Sequence, residues 1–129
     1  MYSAKVLTGL AFLCAVIIGV SLYTSSVFSK DAKTLEERIN VIEENISKSD
    51  WTSAEKNLKA IEEEWGKMEK AWTVFLDHEE IDNIDTSLVR ISKYIETKNT
   101  SMAMSEIAVL RQFVKHIPEN ESLSLKNIF

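Results

Sequence analysis

The sequence predicts an all-α protein: an N-terminal transmembrane helix followed by an antiparallel four-helix bundle made of two helical hairpins. Three observations predict it. The 129 residues include one proline and three glycines, too few turn-formers for anything but a few long elements. Val6 to Phe28 is 23 residues without a charge. Beyond residue 30 the apolar residues recur at three- and four-residue spacing, the period of an amphipathic helix.

The first element, residues 1–29, reads as a membrane anchor. At 1.5 Å per residue, Val6–Phe28 makes roughly 35 Å of helix, enough to cross a hydrocarbon core of about 30 Å. Tyr2, Tyr23 and Phe28 fall near the two interfaces, where aromatic rings are favoured. A cleaved signal peptide is the competing reading, with Lys5 as its basic region and Val27-Phe28-Ser29 as the processing site. The uninterrupted apolar run is long for a signal peptide and favours the anchor. Lys5 and the amino terminus favour N-inside, whereas Lys30, Lys33 and Arg38 on the other flank oppose it. The expectation is a cell-membrane, single-pass protein with an extracytoplasmic soluble domain. Ala11, Ala15 and Gly19 are spaced by four and share one face of the helix, which suits close helix pairing and a homodimer through the span.

Charge and cysteine content exclude several classes. Lys5 alone among the 15 lysines and arginines, and none of the 20 acids, precedes residue 30. The soluble part therefore carries 20 acids against 14 cations, a net of −6. That disfavours nucleic acid and anionic lipid head groups as partners. Cys14 is the only cysteine and lies within the apolar segment, so the soluble part has no disulfide, no cysteine zinc site and no thiol nucleophile.

The bundle, residues 30–118, is written as four apolar stripes. The first is Ala32, Leu35, Ile39, Ile42 and Ile46. The second starts at Trp51 and Ala54 and continues through Leu58, Ile61, Trp65, Met68, Trp72 and Phe75. Ile81, Ile84, Leu88, Ile91 and Ile95 make the third, and Ala103, Ile107, Leu110, Val114 and Ile117 the fourth. A shift of 49 residues lays the first pair of stripes on the second pair and Asp50 on Asn99, both good helix caps, as an internal duplication would. Trp65 and Trp72 belong to a core stripe, and Trp51 opens its helix at a partly exposed position. Glu62, Glu63 and Glu64 read as a solvent-facing run.

"WTVFLDHEEIDNID" (72–85) is dense in acids. Asp77 followed by Glu80 matches a capping box, and Leu76 with Ile81 the hydrophobic staple. Glu79, Glu80 and Asp82 suit the positive end of the helix dipole. His78, Asp82 and Asp85 share a helical flank and are weak candidate metal ligands; Mg²⁺ or Ca²⁺ would need further oxygen ligands from a neighbour. No catalytic residue and no cofactor is expected: the chain has no glycine-rich phosphate loop, no nucleophile elbow and no His-Glu-x-x-His. Pro118 is expected to end the fourth helix at Ile117, with His116 near its last carbonyls. The remainder, residues 119–129, reads as an apolar tail. Leu123, Leu125, Ile128 and Phe129 are expected to dock in an extended form, on the bundle or on a partner.

The lone span followed by "SDWTSAEKNL", "AWTVFLDHEEID" and "HIPENESLSLKNIF" resembles domain-of-unknown-function family 4363 over nearly the whole chain. The resemblance implies a small membrane-anchored protein from a Gram-positive, often spore-forming source, found near other small membrane proteins. It implies no activity and no catalytic residue. The functional expectation is a non-enzymatic interaction module, accessory to another membrane protein. The alternative is an extracytoplasmic ligand- or divalent-ion-binding sensor domain.

Overall fold

Four helices follow one another along the chain: α1 (Tyr2–Ser47), α2 (Trp51–Trp72), α3 (His78–Glu96) and α4 (Thr100–Ile128). The computed structural model describes the backbone of residues 2–74 and 76–128 and the side chains of residues 3–74 and 76–117. α1 packs on α2 and α4, and α3 packs on the same two, which makes an up-down-up-down bundle. The four predicted stripes supply its core as far as Ile117, with Trp51 and Met68 half-buried against it. Phe75, placed in the second stripe by its spacing, lies outside the described residues.

The apolar segment and the first bundle helix are one continuous helix. Nothing between Val20 and Ser47 is Gly or Pro, so the backbone has no reason to break. The N-terminal part is long and apolar enough to cross a membrane by length and composition. Its apolar side chains, from Val6 to Tyr23, stand exposed. Phe28 does not. It was expected at the membrane interface, but it is 2% exposed and its ring meets Trp72 edge-on, with centroids 5.2 Å apart. The register explains this: Phe28, Ala32 and Leu35 are spaced by four and three, so Phe28 begins the core stripe. Trp72 in turn meets Trp65 edge-on at 5.3 Å. The indole N–H of Trp72 donates to Asp31 (3.1 Å) and that of Trp65 to Asp85 (2.6 Å). Both indoles are thus buried with their polar atoms satisfied.

The 49-residue offset carries into the backbone. α1 and α3 end in the same motif, with Ser49 (φ 57°) and Lys98 (φ 54°) in the left-handed region. Asp50 N–H donates to Asn45 O at 2.9 Å, and Asn99 N–H to Tyr94 O at 2.8 Å. Ser49 N–H donates to Ile46 O, and Lys98 N–H to Ile95 O. These are the paired bonds of a Schellman turn, made twice. Asp50 and Asn99 then cap the next helix, accepting from Ser53 N–H and Met102 N–H at 3.2 Å each. The two connections, 49 residues apart, are thus built alike.

α4 departs from the sequence expectation: it continues through Pro118 to Ile128. The proline forfeits one ladder hydrogen bond, to Val114 O. Glu119, Glu121, Leu123, Leu125 and Lys126 are all good helix formers, and the ladder resumes beyond the proline. The extended form expected for the tail is therefore corrected to helix as far as Ile128. His116 consequently lies within α4 rather than at its end.

Candidate functional site

Three of the four seams between adjacent helices are closed by an ion pair. Arg38 on α1 forks onto Glu64 of α2 at 2.6 and 2.7 Å. Hence Glu64, read as part of a solvated run, is half-buried and engaged, whereas Glu62 and Glu63 are exposed. Glu64 also holds the Arg38 guanidinium, by hydrogen bond and charge, above its ordinary pKa. Arg90 on α3 lies 3.6 Å from Glu106 of α4. Arg111 on α4 reaches Asn40 (2.9 Å) and Glu43 (2.6 Å) of α1. Among the described residues, no ion pair joins α2 to α3.

The 49-residue offset sets the α1–α4 seam against the α2–α3 seam. α2 and α3 make the sparsest contact of the four pairs. Four positions differ between the two seams under this offset. The 49-residue offset places Glu62 where the other seam has Arg111, and Val89 and Ser92 where it has Asn40 and Glu43. The clamp that closes α1–α4 has no counterpart. Trp65 occupies the position of Val114.

A cleft of about 590 Å³ opens in this seam, at the end of the bundle far from the apolar segment. The buried Leu58 and Ile95 lie at its base, and Asp50, Trp51, Glu55, Glu96 and Lys98 line it; Glu55 is paired with Lys59 (3.7 Å) and Glu96 with Lys93 (3.2 Å). The Asp50 carboxyl is held below its usual range by hydrogen bonds from the Ser53 hydroxyl and backbone N–H. Trp51 is half-buried at the mouth. At the other end of the seam Glu69 faces Asp85 and Asp82. Burial, the Asp85 charge and hydrogen bond, and then the Asp82 charge push its carboxyl up from the usual value.

The predicted site residues are dispersed. His78 and Asp82 are exposed, and Asp85 is half-buried and occupied by the Trp65 indole. Among the described residues no three His, Cys, Asp or Glu side chains are grouped to hold a metal ion. Asp77 stands at the N-cap of α3, but its side chain makes no capping hydrogen bond; its carbonyl accepts from Glu80 N–H (3.2 Å) and Ile81 N–H (3.4 Å). The half-buried Leu76 and buried Ile81 both join the core, as the staple requires. Ala11, Ala15 and Gly19 are all exposed on α1, and a Cβ built on Gly19 meets nothing within 4 Å. Leu123, Leu125 and Ile128 lie on α4, but their side chains, and all of Phe129, are outside the described residues. The open seam was missed from sequence, although its signal was there: Glu62 against Arg111 in the offset alignment.

The family model described as Domain of unknown function (DUF4363) matches residues 22–128. The chain belongs to this family. The DUF4363 match begins at Leu22, within the apolar run, and takes in the bundle and the α4 continuation together. No curated protein and no solved structure matches the chain.

Proposed function

We propose that this DUF4363 protein is a non-enzymatic interaction module, held in the cell membrane by one N-terminal span and accessory to another membrane protein. The observation that carries this reading is the continuity of α1 across Phe28. Cleavage at Val27–Ser29 would remove a core residue from the bundle, so retention of the span and integrity of the fold go together. Val6–Tyr23, the exposed apolar part, still amounts to about 27 Å of helix, close to the thickness of a hydrocarbon core. An unbroken helix presents the bundle at a set height and rotation, which suits docking against a neighbour. The reading places the bundle outside the cytoplasm, following Lys5 and the amino terminus. The small-residue face at Ala11, Ala15 and Gly19 is available for pairing with a second copy or a partner span. A sensor for a small ligand or divalent ion is the weaker reading, because the cleft between α2 and α3 is open rather than enclosed.

Crosslinking of the full-length protein in native membranes, followed by mass spectrometry, tests the module. A discrete crosslinked membrane protein, with the first 29 residues present in the intact mass, is the expected result. A soluble product starting near Lys30, or no discrete partner across crosslinkers placed on every bundle face, would reject it.

A further inference from the structure

We propose that the end of α4 is a second membrane contact: its last turns descend beside α1 to the height where the span leaves the bilayer, and place Leu125 and Ile128 in the apolar side of the lipid interface. This rests on the reading of Val6–Tyr23 as a retained span and adds a lipid-binding surface to it.

The contacts between helices fix the heights. Arg111 of α4 reaches Asn40 and Glu43 of α1 at 2.9 and 2.6 Å, and the two helices run antiparallel. Ile128 lies 17 residues beyond Arg111, roughly 26 Å further down, which brings it level with Thr24 and Ser25 of α1. α3 does not go so far: Arg90 stands beside Glu106, so α3 begins, at His78, level with Pro118. α2 stops at Trp72, whose indole reaches Asp31. Among the described residues, α4 therefore has α1 alone beside it beyond about Ser122. The exposure of α1 records the same neighbour. Every residue from Ser3 to Val20 is exposed, alanines and glycines included. Ser21, Thr24 and Ser25 are half-buried, and with the buried Phe28 they form one stripe at three- and four-residue spacing. That stripe lies below the ends of α2 and α3, where α4 is the helix that reaches.

This height is that of the membrane surface. The exposed apolar run of α1 closes at Tyr23. On the same register Ile128 stands about 2 Å above Tyr23, Leu125 about 6 Å and Leu123 about 9 Å. The polar layer on each side of the hydrocarbon is roughly 5–8 Å deep, so Leu125 and Ile128 fall within it. Both follow Val114 and Ile117 at helical spacing and so occupy core-stripe positions of α4. Higher up, that stripe is covered from three sides by the other helices. Here it keeps α1 alone, whose facing residues are the small Ser21, Thr24 and Ser25. An apolar stripe that has lost two helical neighbours at the depth of the interface is covered by lipid. The segment Leu123–Phe129 carries one charged side chain, Lys126, whose long stem lets its ammonium reach the head groups. Phe129, next in sequence to Ile128, is of the aromatic type favoured at this depth. The contact thus draws on apolar burial and asks nothing of anionic lipid, in keeping with the acidic bundle. Val74, 76% exposed in the α2–α3 connection, adds an apolar group at the same end of the bundle.

The test uses the full-length chain in nanodiscs of zwitterionic phosphatidylcholine, with Cys14→Ala removing the only cysteine. Ile128→Cys, Leu123→Cys, Val16→Cys and Lys56→Cys, made one at a time, each carry a nitroxide. Its collisions with oxygen and with a water-soluble nickel chelate report the depth of each label. Val16, exposed in the apolar run, is the reference within the span, and Lys56, exposed near the far end of α2, the reference in water. The Ile128 label is expected at lipid depth, shallower than that at Val16, with the Leu123 label shallower again and the Lys56 label in water. Ile128→Asp should return a label placed by Leu125→Cys to water and leave the Val16 label unmoved. Equal nickel access at Ile128 and Lys56 would overturn the proposal and leave the span intact. So would exclusion of both reagents at Ile128, which would mean burial against α1, or a lipid depth that appears only once anionic lipid is added, which would assign the contact to Lys126. Nickel access at Val16 would reject the span itself. An unchanged near-ultraviolet circular dichroism signal from Trp65 and Trp72 shows that each labelled chain keeps its bundle.

Discussion

Phe28→Ala is the sharpest probe of how the apolar segment and the bundle are joined. The side chain is 2% exposed and its ring packs edge-on against Trp72, itself fully buried. Truncating a buried phenylalanine costs about 3–5 kcal/mol, including the cavity left behind. Phe28 is the first core residue of the bundle, so its neighbours have room to relax, and the lower figure of about 3 kcal/mol applies. At roughly 4–8 °C per kcal/mol for a domain of this size, the melting temperature should fall by about 12–24 °C. The measurement is the near-ultraviolet circular dichroism of the full-length chain during a thermal scan, where Trp65 and Trp72 report. Tyr23→Ala, five residues earlier and 73% exposed, is the matched control and should leave the melt unchanged. Equal small shifts for both variants would mean that the bundle starts after Phe28 and that the apolar segment contributes nothing to it.

Other perturbations follow from the same contacts. Asp50→Ala should lower the melting temperature clearly, because it removes a capping bond to Ser53, while Asp77→Ala should stay within about 0.5 kcal/mol in denaturant titration, as its side chain caps nothing. Replacing the indole of Trp65 by Phe leaves Asp85 without its 2.6 Å donor and should cost about 1.5–3 kcal/mol, the value of a hydrogen bond to a charged group. Glu69 has a raised folded pKa. Its favourable contribution is therefore complete below the unfolded carboxyl value of about 4.3 and is lost as pH rises through the folded value. Glu69→Gln should accordingly melt above wild type at pH 7, with the difference vanishing at acid pH; a gain of the same size at pH 4 and pH 7 would contradict the assignment.

Much of the architecture was legible because it is periodic. The stripes from Ala32 to Ile46 and from Ile81 to Ile95 needed only their spacing to be read as core, and all ten residues are buried. Asp50 and Asn99 were legible as caps because capping is local chemistry within four residues. Local rules also produced the errors. Asp77 matches the capping pattern, yet its side chain makes no cap bond. Pro118 was read as a stop, whereas the chain beyond it is rich in helix formers and α4 runs on. Phe28 was assigned to the lipid interface by the charge boundary at Lys30, when its register already belonged to the bundle.

The sequence by itself determined the helical class, the membrane-length apolar segment, the two hairpins and their 49-residue relation, since each is a matter of spacing along one chain. Only the tertiary structure decided that the apolar segment and bundle share one helix, that Asp85 accepts from the Trp65 indole, and that α2 and α3 meet without an ion pair among the described residues. These depend on which side chains meet across helices: whether Arg111 finds Glu43, and whether Glu62 finds any cation. Such pairings are set by packing between residues far apart in the chain, and no local period encodes them.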